Sequence, residues 1–448
     1  MPSWTDHVMW WHVYPLGAVG APIRPACGNS PLGGPDEPVV HRLGRLEAWL
    51  DHVLDLGLNG LLLGPVFASA THGYDTVDYR RIDPRLGDAA DLDRLVVAAH
   101  ERGLRVLLDG VFNHVGRSHP AFQQVEAEGP GAATASLFRI DWSGWNPRDT
   151  VRADVFEGHE SLVALDHDSP AVVEWVAEVM DHWLARGIDG WRLDAAYAVP
   201  PAFWAQVLPR VREQHPEAWF LGEVIHGDTA RIVRDSTIDS LTAYELWQGI
   251  WHGIADRNLF ELAHAVQRHS ALLETSVPTT FVGNHDVTRI ASAVGADLVP
   301  HALAVLFAIG GVPSVYAGDE DGAKGIKEER LGGDDAVRPE LAPTPPREGE
   351  LDETARRTRQ VHQQLIRLRR REPWLASART DVVHTANKQF VPRSGRDDAA
   401  VVVALNLADE EVTLPCADAT EVVAGTGQID PAAQQVRLAP RGWAVLHR

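Results

Sequence analysis

Residues 171–224 read AVVEWVAEVMDHWLARGIDGWRLDAAYAVPPAFWAQVLPRVREQHPEAWFLGEV, one pattern stated twice. First comes an amphipathic helix that Gly187 stops, and it feeds the apolar strand DGWRLD. Then the helix FWAQVLPRVREQ feeds the strand AWFLGEV. A carboxylate stands at the end of each strand, Asp194 and Glu223, 29 positions apart. An eight-fold strand–helix barrel takes about 250 residues, roughly 30 per repeat. The same beat continues outward. Glu223 to Asp286, in TTFVGNHD, is 63 positions, two repeats. Asp109, closing LRVLLD, to Asp194 is 85, one repeat carrying an insertion.

The remaining apolar runs, VMWWHVYPL (8–16), GLLLGPV (60–66), SLTAYEL (240–246) and VPSVYAGDE (312–320), complete eight strands alternating with helices. That order predicts an α/β fold, a TIM (β/α)8 barrel built from residues 1–115 and 166–375. Residues 116–165, rich in Gly, Pro, Ser and Trp, break the rhythm and are expected to form a lobe over the mouth after the third strand. From 376 to 448 the texture turns to short alternating runs, a C-terminal antiparallel β-sandwich. An open doubly wound sheet is the rival, but no Gly-rich phosphate turn follows the first strand. The charged stretch 324–356 reads as a solvated loop.

A chain of 448 residues, 45% hydrophobic and with 15 Trp, can fill a large interior. Its net charge of −21 argues against nucleic acid or an anionic membrane as partner, since phosphate is repelled. Cys27 and Cys416 lie far apart and read as reduced. The start, MPSWTDHVMWW, lacks a signal-peptide pattern, and no apolar run reaches membrane-spanning length. A cytoplasmic enzyme is expected.

Glycosidic bonds are cleaved by two carboxyl groups in opposite protonation states. Asp194 is read as the nucleophile, with Arg192, two residues earlier on the same strand face, keeping it ionised. Glu223, after the apolar AWFLG, is read as the general acid/base whose proton burial retains. Asp286 is assigned to stabilise positive charge on the sugar ring or hold its hydroxyls, with His114 and His285 as hydroxyl donors. Tyr244 and Glu245 would end the sixth strand near the mouth, Glu245 touching the acceptor. Trp142, Trp145, Trp247 and Trp251 are candidates to stack on sugar faces. Singly these signals are weak, because a strand-end Asp is usually a cap and an Arg–Asp pair usually structural. Four acidic segments in order, at barrel spacing, carry the reading jointly.

At these residues the chain resembles glycoside hydrolase family 13, the α-amylase family. The match pairs Asp109 and His114, Arg192 and Asp194, Glu223, and His285 with Asp286 to that family's four conserved regions. THGYDTVDYRRIDPRLG and GVPSVYAGDE add to it, and the resemblance implies that Tyr74 stacks on the sugar at the cleavage site. Beside it, Asp75 and His72 are candidates to grip outer hydroxyls, against the plainer reading of Asp75 as a turn residue. Asn113 matches a calcium ligand of many members, but the lobe has few acidic clusters, so no cofactor is expected and calcium is not expected to be required.

Within the family the chain looks most like the cyclomaltodextrinase, neopullulanase and maltogenic amylase group, which hydrolyse small or cyclic α-glucans and transfer glycosyl groups. The expected partner is thus an α-glucan oligosaccharide, with a homodimer as one open assembly. Three departures stand out. With the first barrel strand near Met1, the group's additional N-terminal β domain is not expected, Ala198 stands at a usual acceptor-side Glu with Tyr197 before it expected to take over stacking, and LVALD (162–166) ends in Asp where relatives carry Asn. These departures point toward a short relative that hydrolyses cyclic maltosyl-maltose. The alternatives are a glucosyl or maltosyl transferase or isomerase on the same scaffold, and an inactive carbohydrate-binding protein.

Overall fold

The computed structural model describes residues 2–25, 32–34, 36–147, 149–395, 399–416 and 418–448. Eight parallel strands form one sheet: β1 Trp10–Val13, β2 Gly60–Leu63, β3 Arg105–Gly110, β4 Gly190–Leu193, β5 Trp219–Gly222, β6 Ser240–Leu241, β7 Thr279–Phe281 and β8 Val312–Tyr316. Their order runs β6-β5-β4-β3-β2-β1-β8-β7, and a parallel bridge from Thr242 to Thr279 joins the two ends. The barrel is closed, and no strand edge of it is left to pair elsewhere.

The helices form because apolar residues recur at three- and four-residue spacing. Val172, Val173, Val176, Val179, Met180 and Trp183 make the buried stripe of Pro170–Leu184, between β3 and β4. Asp88 caps Ala89–Glu101 through a capping box with Asp91. Inside the barrel, Trp10 and Trp219 lie nearly parallel with ring centroids 5.7 Å apart, and with Leu62, Leu107 and Leu221 they make an apolar floor. Gly60 makes room for this floor, since a Cβ there would stand 2.3 Å from the Trp10 ring. Because side chains alternate along a strand, the polar residues one step beyond the floor sit at the C-terminal mouth.

The sequence reading of the sixth strand is too long. Only Ser240–Leu241 are strand, and Tyr244 opens a helix, Tyr244–Ala255, that buries Leu246, Gly249, Ile250, Gly253 and Ile254. Helical periodicity across 246–254 overrides the β-prone start. Over the mouth, a short strand His114–Gly116 pairs antiparallel with Leu162–Ala164, and a helix at Pro120–Glu128 and a turn at Phe156–Gly158 lie between them. After the last barrel helix, Glu353–Arg371, two antiparallel sheets of five and three strands enclose Val391, Val402, Leu414, Val436 and Leu446. Cys416 is buried there, and Cys27 lies outside the described residues. Among the described residues, no helix is long and apolar enough to cross a membrane.

Candidate active site

Above the floor, β3, β4 and β5 run in register, with Asp109 beside Arg192 and Arg192 beside Leu221. Period-two alternation then turns Asp109, Arg192, Asp194 and Glu223 to one face, with Asp194 and Glu223 one step beyond Asp109 and Arg192. The Arg192 guanidinium is buried in the middle. Its Nη1 lies 2.5 Å from Asp109 Oδ2 and 3.4 Å from Asp194 Oδ1, and its Nη2 lies 2.6 Å from Glu223 Oε1. Arg192 thus grips Asp109 and Glu223 more closely than Asp194, the carboxylate it was expected to hold. Burial, and then the Glu223 carboxylate beside it, push the Asp194 carboxyl well above its ordinary range, and Arg192 offsets this only in part. Burial likewise raises Asp109.

Glu223 is held from three more directions than its strand alone provides. Ala195 N–H donates to its Oε2 at 3.1 Å, and Tyr244 Oη donates to Oε1 at 3.0 Å while accepting from Asn284 Nδ2 at 2.9 Å. Ala195, next to Asp194, sits at φ 46° and ψ 37°, a left-handed conformation that side chains other than Gly seldom adopt. That turn is what aims its N–H back at Glu223.

At the other end, Tyr74 donates to Asp109 Oδ2 at 3.1 Å and touches His285 Nε2, the two rings parallel with centroids 5.5 Å apart. His285 Nε2 is 2.9 Å from Asp286 Oδ2, and Arg338 Nη2 is 2.5 Å from Asp286 Oδ1. Arg338 also donates from Nε to the His285 carbonyl at 2.9 Å and lies over the Tyr14 ring. Burial alone would raise the Asp286 carboxyl, but His285, Arg338 and Arg192 outweigh it and hold it well below the usual range.

These groups line a cleft of about 390 Å³ whose walls include Tyr74, His114, Asp194, Tyr197, Glu223 and Asp286, together with Phe156 and Glu157 from the lobe. Sequence reasoning missed several of them. Arg338 belongs to the stretch read as a solvated loop, yet it is buried against Asp286. Only the need of a third carboxylate, Asp286, for a second cation could have pointed to it. Tyr244 was noticed for its place, not for its bond to Glu223.

The other candidates are placed as follows. His114 lines the cleft, but its Nε2 bonds the Tyr74 carbonyl at 3.0 Å and its Nδ1 the Asn113 amide at 3.1 Å, leaving neither nitrogen for a sugar hydroxyl. Burial lowers it to about 4, so the ring is neutral at neutral pH. Asp75 is buried and accepts from Thr71 N at 3.0 Å and Thr71 Oγ1 at 2.5 Å, the turn role, outside the cleft lining. His72 turns its Nδ1 to Tyr74 N–H at 3.3 Å and does not line the cleft. Glu245, exposed on its helix, pairs with Arg268 at 2.6 Å instead of reaching the mouth. Trp142, Trp145, Trp247 and Trp251 are absent from the cleft walls; Trp142 and Trp145 pack edge-on against each other in the lobe.

Comparison with known proteins agrees with this architecture. The chain is 29% identical over 429 residues to the maltogenic alpha-amylase of Bacillus acidopullulyticus, covering 92% of this chain and 69% of that one. It is 29% identical over 430 residues to a cyclomaltodextrinase of Geobacillus thermopakistaniensis, covering 92% and 71%. Among solved structures, the ligand-free cyclic α-maltosyl-(1→6)-maltose hydrolase of Arthrobacter globiformis superposes with a TM-score of 0.81 at 24% identity over 100% of both chains, a likeness of fold. The catalytic-domain model of the alpha-amylase family matches residues 45–379, which hold all four acidic segments, and the chain therefore belongs to the α-amylase family of glycoside hydrolases.

Proposed function

We propose that the protein is a retaining α-glucoside hydrolase that acts on small or cyclic α-glucans, opening α-1,4 bonds to release maltose-type products. The observation that carries the reading is the placement of Asp194 and Glu223 on one buried guanidinium with a third carboxylate, Asp286, across the cleft. Asp194 attacks the anomeric carbon, and the glycosidic C–O bond breaks as Glu223 gives its proton to the departing oxygen. Water then loses a proton to Glu223 and displaces Asp194 from the sugar, restoring both groups. The reaction requires Asp194 ionised and the proton on Glu223 when the sugar is bound. Asp286, kept ionised by His285 and Arg338, faces the positive charge that grows on the ring, and Tyr74 supplies an apolar face for it.

The curated relatives' names, a maltogenic amylase and a cyclomaltodextrinase, support α-glucans as the substrate class. A cyclic maltosyl-maltose hydrolase with the same fold over its whole length supports a ring with α-1,6 links as the first compound to try.

Calcium is not expected to be required. Asn113 donates from Nδ2 to His114 Nδ1, and the neighbouring carboxylates Asp154, Asp166 and Asp168 stand around Arg139 at 3.9, 3.7 and 3.9 Å. A guanidinium stands where six to eight oxygens would have to converge. Among the described residues, the grouping of His41, Asp88 and Asp91 serves the helix cap described above.

The test is incubation with maltotriose, cyclodextrins, pullulan and cyclic maltosyl-maltose, following the first-formed anomer by proton NMR. Initial release of the α-anomer, unchanged by EDTA, is expected. No turnover of any of these sugars would overturn the reading, and initial release of the β-anomer would overturn the retaining mechanism.

A further inference from the structure

Glu223 must reach the oxygen of the departing sugar, so the leaving group lies on its side of the cleft. Tyr197 marks that side, because its N–H bonds the Glu223 carbonyl at 3.3 Å and its ring meets His226 at 4.8 Å. Across the mouth, on the lobe, stands Glu157, exposed and at φ 47° and ψ 33°, again a left-handed residue that is not Gly. Tyr197 Oη donates to Glu157 Oε1 at 2.8 Å. This bond joins lobe and barrel across the exit of the cleft. Phe156 and Glu157 also line a second cavity of about 370 Å³, behind the first, whose walls include Asn113, Arg139, Asp154, His167, Ala198 and Pro200. Phe156 itself is pinned, its ring lying on His114 with centroids 4.8 Å apart. The exposed Glu157 side chain, by contrast, is held by one hydrogen bond.

We propose that Glu157, hydrogen-bonded to Tyr197, is a specificity-determining partition that confines the leaving group to short α-glucosyl units and keeps the cleft apart from the adjoining polar cavity. This rests on the hydrolase reading above. A short leaving group ends before the partition. A longer glucan must displace it, breaking the Tyr197–Glu157 bond to extend into a second cavity walled by hydroxyl-binding groups: a carboxylate, an amide and a guanidinium.

The experiment compares kcat/KM for maltohexaose with that for 4-nitrophenyl α-maltoside in wild type, Glu157→Ala, Tyr197→Phe, the double variant and Glu157→Gln. Glu157 is exposed and Tyr197→Phe keeps the ring, so both chains are expected to fold, as thermal melts would show. Loss of one hydrogen bond should raise the maltohexaose preference about fivefold in each single variant. The double variant should add nothing further, because both changes remove the same bond. Glu157→Gln, which still accepts from Tyr197, should stay near wild type. A preference unchanged or lowered in Glu157→Ala, or additive effects in the double variant, would overturn the partition while leaving the hydrolase reading intact. If wild type turns over neither substrate, the hydrolase reading falls first and the partition with it.

Discussion

The two ends of the cleft are built on opposite plans. Around Asp286 the key polar side chains are each held by two or more partners: Tyr74 reaches Asp109 and His285, and Arg338 reaches Asp286, Asp334 and the His285 carbonyl. Past Glu223, the mouth is closed by one hydrogen bond between an exposed glutamate and a half-buried tyrosine. The difference separates two tasks. A sugar ring distorted toward its transition state must be held where charge develops, so that end is over-determined. The departing group need only fit and leave, so that end can be adjusted by single residues.

The heaviest blow to the comparison is to remove the chemistry. Asp194→Asn and Glu223→Gln should each cut kcat by about 10⁴-fold or more, by analogy with other covalent catalysts, read from maltotriose hydrolysis. Asp194→Asn should also melt higher than wild type at pH 7. Asp194 is pushed up by burial and by Glu223, so the native state binds its proton more tightly than the unfolded chain. Stability is then fully present below the unfolded carboxyl value and is lost as pH rises through the native one. An amide bears no such cost, and the melting difference should vanish as the pH approaches 4. A lower melting temperature for Asp194→Asn at pH 7 would mean that the carboxylate cluster is not strained.

Next in size is Arg338→Met. It leaves Asp286 without its closest cation and should cost about 10²-fold in kcat through misplacement. The loss of stability should be about 2 kcal/mol at pH 7, below the figure for a fully buried pair because Asp286 is partly exposed. Asp286 is held low in the native state, so its contribution is present above the unfolded carboxyl value and lost as pH falls through the native one. The gap in melting temperature between variant and wild type should therefore close in acid. A kcat within a factor of three of wild type would show that the Asp286 end is not over-determined.

How much of this was legible in the sequence follows the same division. The barrel and the residues on β3, β4, β5 and β7 were readable because strand periodicity and repeat spacing carry through a fold whose active sites gather at one end. Arg338 was not, since a loop after β8 has no period, and a run with Asp334, Asp335 and Arg338 reads as surface until Asp286, in the cleft, is seen to need it. Glu245 and Asp75 were harder to place for a different reason. A helix start was read as a strand end, and a loop carboxylate that accepts from Thr71, four residues earlier, looks free in one dimension. The Glu157–Tyr197 bond joins residues 40 positions apart through the inserted lobe, and no local pattern announces it.

Ala198 is the finest test. Its place after the nucleophile suggested direct control of the acceptor, yet its side chain borders the second cavity and is not among the walls of the cleft. A carboxylate introduced there faces Arg139 and Asp154 behind the partition, where a short substrate does not reach. Ala198→Glu should therefore change kcat/KM for 4-nitrophenyl α-maltoside by less than about twofold, within the range of a surface substitution. Combined with Glu157→Ala, which opens the wall, the same change should alter maltohexaose cleavage beyond the sum of the two single effects, because the cavity then belongs to the substrate path. Strict additivity would mean that the cavity stays separate even without the partition. Leaving-group choice would then have to reside in Tyr197 and the neighbouring Ile225, on the cleft side of the wall.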